Sequence, residues 1–301
     1  MSRTASETNG KPYGVRRVCA VWEQARSTFY DRLERDLKTP LQQKRKRGPK
    51  PTVPDAELLD LVLRDLAASP FVGEGHRKVW CRLHFGLGLP VARKRVLRIM
   101  RENRLLSPHR VRQGKSLSHD RTITTCAPNM MWGTDGTKVF TLDDGWVWVF
   151  AAVEHWNAEC VGWHATKTGD RYAALEPISQ GLTRIYGSTA ADAARGLRLR
   201  MDHGSQYMSD HFVNQVRYWG IKPSFAFVEQ PQTNGVAERF NHTLKEQAIY
   251  GRILRNIEEV RQAVGTFVDL YNTCWRPEKN GFKTPSEARE AWLEAISKDA
   301  A

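Results

Sequence analysis

The sequence predicts an α+β protein in which small all-α regions precede a core built on a mixed β-sheet. Apolar residues recur at helical spacing through about the first hundred residues, and from about residue 130 the period becomes that of strands. Strands and helices then alternate to the C-terminal tail, which is typical of a mixed sheet. With 301 residues, 41% of them hydrophobic, the chain can bury more than one core, so we expect two or three domains.

Positive charge is concentrated in the N-terminal part. The formal net charge is +13, and residues 1–130 hold 27 Lys and Arg against 12 Asp and Glu, whereas residues 131–301 hold 19 against 21. This asymmetry favours a polyanionic partner for the N-terminal part. The five cysteines are scattered without a Cys-x-x-Cys pair, which supports neither a disulfide framework nor a zinc ribbon, and no apolar run is long enough to span a bilayer. We therefore expect a cytoplasmic protein with no membrane partner.

The first predicted helices form a pair at the N-terminus. An apolar face running from Val15 through Val18 and Cys19 to Trp22 predicts a helix over about 14–24, and Ser27 is expected to cap a second one. Residues 1–42 are thus predicted to be a helix-turn-helix-like region, with an ordinary αα-hairpin as the alternative. Residues 43–54 contain the run from Lys44 to Pro51 and are predicted to be a basic linker.

Residues 55–112 are predicted to form a helical, helix-turn-helix DNA-binding domain. Helices are expected from near Asp55 and over 76–83, followed after the turn at 86–90 by a helix whose inner face comprises Ala92, Val96, Ile99 and Met100. Lys94, Arg98 and Arg101 lie on another side of that helix, opposed only by Glu102. We predict that these three bind DNA phosphates, with a merely solvated basic face as the alternative.

The core is predicted over 130–275, after a linker over 113–129. Strands over 131–140, 145–153 and 160–165 precede a helix over 171–186, a strand over 197–202, a helix over 210–218, a strand over 222–227, and helices over 232–250 and 257–271. This is the element order of a ribonuclease-H-like mixed sheet, one of several α+β arrangements that periodicity leaves open. Residues 276–301 form a tail, in which a capping box from Thr284 to Glu287 predicts a final helix to about residue 296.

Three acidic residues are predicted to meet at one edge of this sheet. Asp135 lies in the first strand, where an unpaired charge is costly, and Asp202 ends a strand at an edge where such sheets bind ligands. Glu238 lies in the first turns of a helix. Each alone could be a surface or capping residue, but together they form an oxygen-only set that selects hard cations. We predict that they hold Mg²⁺ or Mn²⁺, with two ions expected, for phosphoryl transfer.

The spacing of these acids resembles that of a known family. Between Asp202 and Glu238 lie 35 residues, and this resembles the D-D-35-E triad of retroviral integrases and of the bacterial insertion-sequence transposases that share their core, in particular the second-frame product of two-frame elements. Further stretches resemble family motifs: 202–207 the second-aspartate motif, Tyr271-Asn272, Arg276-Pro277 and Thr284-Pro285 the C-terminal signature, and 75–108 the helix-turn-helix insert. The chain departs from the family at Glu278, where relatives have histidine.

The resemblance implies a bacterial DNA transposase that nicks double-stranded DNA at the inverted-repeat ends of its element and transfers the freed 3′-hydroxyl. Asp135, Asp202 and Glu238 would be its catalytic, metal-binding residues. Lys245 shares a helix face with Glu238 and would grip a phosphate, while Asn241 either assists or faces solvent. Target DNA, further copies of the chain and the first-frame product, or a fusion to it, are the implied partners. Two alternatives stay open: a nuclease that cuts without strand transfer, and a DNA-binding regulator without catalysis, against which the intact triad argues.

Overall fold

The structure is a computed structural model that describes residues 4–37, 52–107, 125–225 and 235–299. The chain divides into two compact units, Met1–Thr52 and Val53–Ala301, which are described separately below. The basic run from Lys44 to Pro51 and most of the linker predicted over 113–129 lie outside the described residues. Across the described ranges, every helix is too short or too polar to cross a membrane.

The first unit contains two short helices, α1 (Val15–Val21) and α2 (Arg26–Leu37), which pack on each other as predicted. The Phe29 N–H bonds to the Ala25 carbonyl, so α2 begins at Arg26 and Ser27 lies inside its first turn. The prediction that Ser27 caps this helix is therefore wrong. Of the predicted apolar face only Cys19 is buried, and Trp22 is 66% exposed, because two short helices offer too little surface to cover an indole.

Three helices at the start of the second unit form what we call the helix-turn-helix unit: α3 (Asp55–Ala68), α4 (His76–Cys81) and α5 (Arg93–Glu102). They share one apolar core, in which Val62, Val79 and Val96 are fully buried. The predicted inner face of α5 is confirmed at Val96 and at the two residues of its last turn, Ile99 and Met100. Ala92 is a correction, because it precedes the helix in extended conformation and is exposed.

Five strands form one mixed sheet in the order β3-β2-β1-β4-β5. Antiparallel pairing joins β1 (Met131–Thr141) to β2 (Gly145–Glu154) and β2 to β3 (Cys160–Thr166). Parallel pairing joins β1 to β4 (Arg198–Met201) and β4 to β5 (Lys222–Phe225). This confirms the α+β, ribonuclease-H-like sheet expected from the element order, and it places β1 at the centre.

The two faces of the sheet carry different helices because side chains alternate along each strand. On one face Trp132, Phe150 and Leu199 pack against α6 (Arg171–Tyr186) and α8 (Asp210–Tyr218). On the other face Val139 and Val149 pack against α9 (Gly235–Leu244) and α10 (Ile257–Cys274). A four-residue helix, α7 (Ser205–Met208), follows β4 and was not predicted. A wider π turn over Lys245–Ile249 continues α9 without a break.

Residues of the C-terminal signature make hydrogen bonds and an ion pair that stabilise the packing of the last helices. The Asn272 side chain accepts from the Cys160 N–H at 3.0 Å and donates to the Cys160 carbonyl at 2.9 Å, which ties α10 to β3. Arg276 pairs with Glu287 through two hydrogen bonds of 2.8 and 2.9 Å. Glu287 and Thr284 also exchange the two hydrogen bonds of a capping box, so the box predicted at the start of α11 (Pro285–Asp299) is confirmed.

Candidate active site

Parallel pairing of β1 with β4 places Asp135 beside Asp202. Gly133 of β1 lies opposite Arg200 of β4. Asp135 comes two residues after Gly133, and Asp202 comes two residues after Arg200. A side chain two residues further along a strand points to the same face. That face is the one covered by α9, because Asp135 contacts a side chain of this helix. The pairing thus aligns the two carboxylates at the point where β4 ends.

A glycine close to each aspartate holds its carboxylate in place. The Gly136 N–H donates to Asp135 Oδ1 at 2.8 Å, and the Gly204 N–H donates to Asp202 Oδ1 at 2.9 Å. A side chain at Gly136 would clash with an aromatic ring, whereas one at Gly204 would require a flexible side chain to move. A Cβ on Gly136 would lie 2.6 Å from the Phe150 ring, and one on Gly204 would lie 2.5 Å from the side chain of Gln206. These glycines allow a close backbone approach.

Helix α9 supplies the third carboxylate and an amide. Glu238 lies in its first turn and is exposed at the surface, whereas Asn241, one turn later, is buried. Asn241 Nδ2 donates to Asp135 Oδ2 at 3.0 Å, so the helix is joined directly to the central strand. Of the two alternatives for Asn241, the solvent-facing amide is wrong. The sequence could not decide between them because the contact joins residues 106 positions apart.

The three carboxylates influence one another electrostatically. Burial raises the pKa of Asp135 to about 6, and the negative charges of Asp202 and Glu238 add to this effect, while hydrogen bonds from Asn241 and Gly136 oppose it. Desolvation also raises the pKa of Glu238, again with a contribution from the charge of Asp202. The charges of neighbouring carboxylates thus disfavour ionisation of Asp135 and of Glu238, as expected when acidic groups lie near one another.

The chemistry of this group fits a divalent cation. Its donors are all oxygens, and a cation would offset the repulsion that raises the pKa values of Asp135 and Glu238. Asn241 Oδ1 is buried and has no hydrogen-bond partner among the described residues, so a further oxygen is available at the same place. Within the described ranges, no three His, Cys, Asp or Glu side chains already stand close enough together to hold an ion.

The predicted phosphate-binding residues differ in their surroundings. Lys245 is half-buried and is the first residue of the π turn, since the regular helix ends at Leu244. On α5, Lys94 and Arg101 are exposed. Arg98 pairs with Asp55 at 2.6 Å and with Glu102 at 2.9 Å. The prediction that only Glu102 opposes this basic face is therefore wrong. Helix α3 brings a second acid, Asp55, against it.

Tyr207 is a buried neighbour of the carboxylates to which the sequence assigned no role. It is fully buried in α7, close to the side chains of Thr134 and Gln206. Burial raises its pKa well above the usual value, and the charge of Asp135 adds to the shift. Tyr207 ends the stretch 202–207 that resembles a family motif, so the sequence contained a signal for it. It packs in the apolar cluster on the α6 and α8 face of the sheet.

Known protein families match the core of the chain and part of its helical region. Residues 126–231 and 219–285 match the integrase core domain family, and residues 71–113 match the HTH-like domain family. The transposase for insertion sequence element IS629 of Shigella sonnei is 27% identical over 237 residues, 75% of this chain and 76% of that protein. The transposase InsD for insertion element IS2A/D/F/H/I/K of Escherichia coli is 27% identical over 223 residues, 71% of this chain and 72% of its own length.

Solved structures with a similar arrangement include two retroviral cores. The HTLV-2 integrase catalytic core domain in complex with magnesium is 15% identical, with a TM-score of 0.41, and the match covers 55% of this chain and 98% of that one. The catalytic core domain of BIV integrase is 21% identical, with a TM-score of 0.41, covering 57% and 99%. The two integrase-core matches together span residues 126–285, and the chain belongs to the insertion-sequence transposases that carry an integrase core domain, which are DDE-type polynucleotidyl transferases.

Proposed function

We propose that this transposase cleaves and joins DNA strands at Asp135, Asp202 and Glu238, with divalent cations held by these three carboxylates. The observation that carries the proposal is the placement of Asp135 in β1 beside Asp202, which directly follows the neighbouring parallel strand β4. The charges of Asp202 and Glu238 help to raise the pKa of Asp135, and Asn241 of α9 donates a hydrogen bond directly to it. Such a set is costly for the fold unless it serves a cation.

The protein residues have distinct parts in this proposal. Asp135 and Asp202 would hold the cations between the two strands, Glu238 would complete the set from α9, and Asn241 fixes Asp135 through its amide. When bound, Mg²⁺ or Mn²⁺, with two ions expected, would activate the attacking oxygen and stabilise the leaving oxygen. Lys245, on the continuation of α9, would position the DNA backbone near the carboxylates.

DNA, as element ends and target, is the substrate in this proposal. Lys94, Arg98 and Arg101 of α5 would bind its phosphates, with Lys94 and Arg101 the more available because Arg98 already pairs with two acids. Further copies of the chain on the same DNA, and the first-frame product or a fusion to it, are the protein partners we propose. We place the activity on DNA in the bacterial cytoplasm.

The experiment is a strand-transfer assay with a duplex that carries the end of the encoding element, labelled at the strand to be cut. Wild-type protein with Mg²⁺ should yield a nicked strand and then a longer joined product. Asp135→Asn, Asp202→Asn and Glu238→Gln should each abolish both products while DNA binding persists. Glu294→Gln, at an exposed glutamate of α11, is the matched control. Nicking without joining would favour the nuclease alternative, and full activity of any triad variant would refute the proposed roles.

A further inference from the structure

The helix-turn-helix unit is joined to the catalytic helix by a two-fold hydrogen bond. Gln247, in the π turn that continues α9, accepts from the Val72 N–H at 2.9 Å and donates to the Val72 carbonyl at 2.9 Å. Val72 lies in the segment that leads into α4, 175 positions earlier in the chain. Because one side-chain amide pairs with both groups of one peptide position, it fixes the direction of that segment as well as its distance.

Aromatic packing beside Gln247 strengthens the same contact. Phe71 is 5% exposed and belongs to the core cluster of the catalytic domain, together with Leu244 and Ala248 of the α9 continuation. Its ring meets the Trp275 ring edge-on, with centroids 4.9 Å apart. The Lys78 side chain of α4 lies over the same Trp275 ring. The segment is thus anchored in the core and is not a free tether.

Glu278 provides a second, ionic connection between the two parts. It pairs with Arg77 in α4 and, at 3.1 Å, with Arg93, the first residue of α5. All three side chains are about half exposed, at 46%, 50% and 47%. Glu278 is the position at which the chain departs from the histidine of its family, and the two arginines give this acid a partner on each helix. We call this whole set of contacts the dock. It comprises Val72 with Gln247, Phe71 and Lys78 with Trp275, and Arg77 and Arg93 with Glu278.

We infer that the dock determines which phosphodiester is cut, with Gln247 and Glu278 as its positioning residues. The inference rests on the proposed function of the triad and of α5. Helices α4 and α5 share one apolar core, so α5 cannot shift relative to the dock without breaking that core. Duplex DNA behaves as a stiff rod over a few helical turns. A duplex that binds Lys94 and Arg101 on α5 therefore presents one particular phosphodiester to the carboxylates, as long as the dock holds.

The test maps cleavage positions at single-nucleotide resolution on a labelled duplex that carries the element end, using the full chain. Wild-type protein should cut mainly at one phosphodiester. In Gln247→Ala and Glu278→Gln the ratio of cuts at that position to cuts at its neighbours should fall on the order of five-fold, the preference that one net hydrogen bond supplies. DNA affinity should stay within about two-fold or rise, because Glu278→Gln removes a negative charge near bound phosphates.

Matched controls are Gln215→Ala, at a half-buried glutamine of α8, and Glu294→Gln on α11, both of which should keep the single cut. Thermal unfolding of each variant shows whether the fold persists, and Glu278→Gln is a surface change that leaves the apolar core intact. If both dock variants cut at the wild-type position with the wild-type ratio, the inference is refuted. The position of the cut then does not depend on the contacts between the helix-turn-helix unit and the catalytic core. Wild-type protein that does not cut, or an active Asp135→Asn variant, would instead refute the proposed function.

Discussion

Replacing Asp135 by asparagine should stabilise the metal-free protein while it abolishes catalysis. Burial and the neighbouring acids raise the pKa of Asp135 from 3.8 to about 6, so its ionised form destabilises the fold above pH 6. The difference between these two pKa values corresponds to about 3 kcal/mol of free energy of unfolding, and partial contact with solvent reduces this to about 1–2 kcal/mol. Asparagine keeps the shape and carries no charge, but it has one acceptor oxygen in place of the two that bond Gly136 and Asn241, which offsets part of the gain.

Thermal unfolding in a buffer with chelator tests this expectation. At about pH 7.5 the Asp135→Asn variant should unfold several degrees above wild type, at about 2–4 °C per kcal/mol for a unit of this size. The sign follows from the raised pKa: the cost is present above pH 6 and vanishes below the unfolded value of 3.8, so the difference should shrink as pH falls between them. Added Mg²⁺ should stabilise wild type more than the variant. A variant no more stable than wild type at pH 7.5 would contradict the inference that the negative charge of Asp135 destabilises the metal-free fold.

Three further changes test neighbouring parts of the structure. Asn241→Leu removes the hydrogen bond to Asp135 and should lower the cleavage rate about 10- to 100-fold, which is the loss expected for a charge-assisted hydrogen bond. Binding of duplex DNA, measured by fluorescence anisotropy, should persist. Gly136→Ala places a Cβ 2.6 Å from an aromatic ring and should cost about 1–3 kcal/mol in urea unfolding, whereas Gly86→Ala, with open space around it, should cost well under that; equal effects would contradict the packing argument. Lys94→Ala combined with Arg101→Ala should reduce the slope of log affinity against log salt by about 2, and an unchanged slope would assign this face to solvent.

Much of the fold could be predicted because its signals are local. The helices over 171–186 and 210–218 have the bounds that periodicity predicts, and the strands of the sheet agree within about two residues at the described ends. The capping box at Thr284 and Glu287 is likewise a signal contained within four residues. The errors at Ser27 and Ala92 concern single residues at helix starts, where the choice depends on which carbonyl the first N–H groups reach.

In the candidate site, too, some features could be predicted from the sequence and others could not. Asp135, Asp202 and Glu238 could be chosen from the sequence, because their spacing and flanking residues resemble a family motif and a charge in a buried strand stands out in the sequence. Two contacts could not be predicted in this way. Asn241 is buried against Asp135, and Asp55 neutralises part of the basic face of α5. Both depend on contacts between residues far apart in the chain, 106 and 43 positions, which no local pattern encodes.

The sequence by itself thus determined the order of the elements, the spacing of the three candidate acids and the concentration of positive charge in the N-terminal part. Only the tertiary structure decided how these parts face one another. It set Asp135 level with Asp202 through the pairing of Gly133 with Arg200, and it joined the helix-turn-helix unit to the core through Gln247 and Glu278. The physical reason is that periodicity and motifs act over a few residues, whereas strand register and docking are fixed by apolar burial and by hydrogen bonds between distant segments.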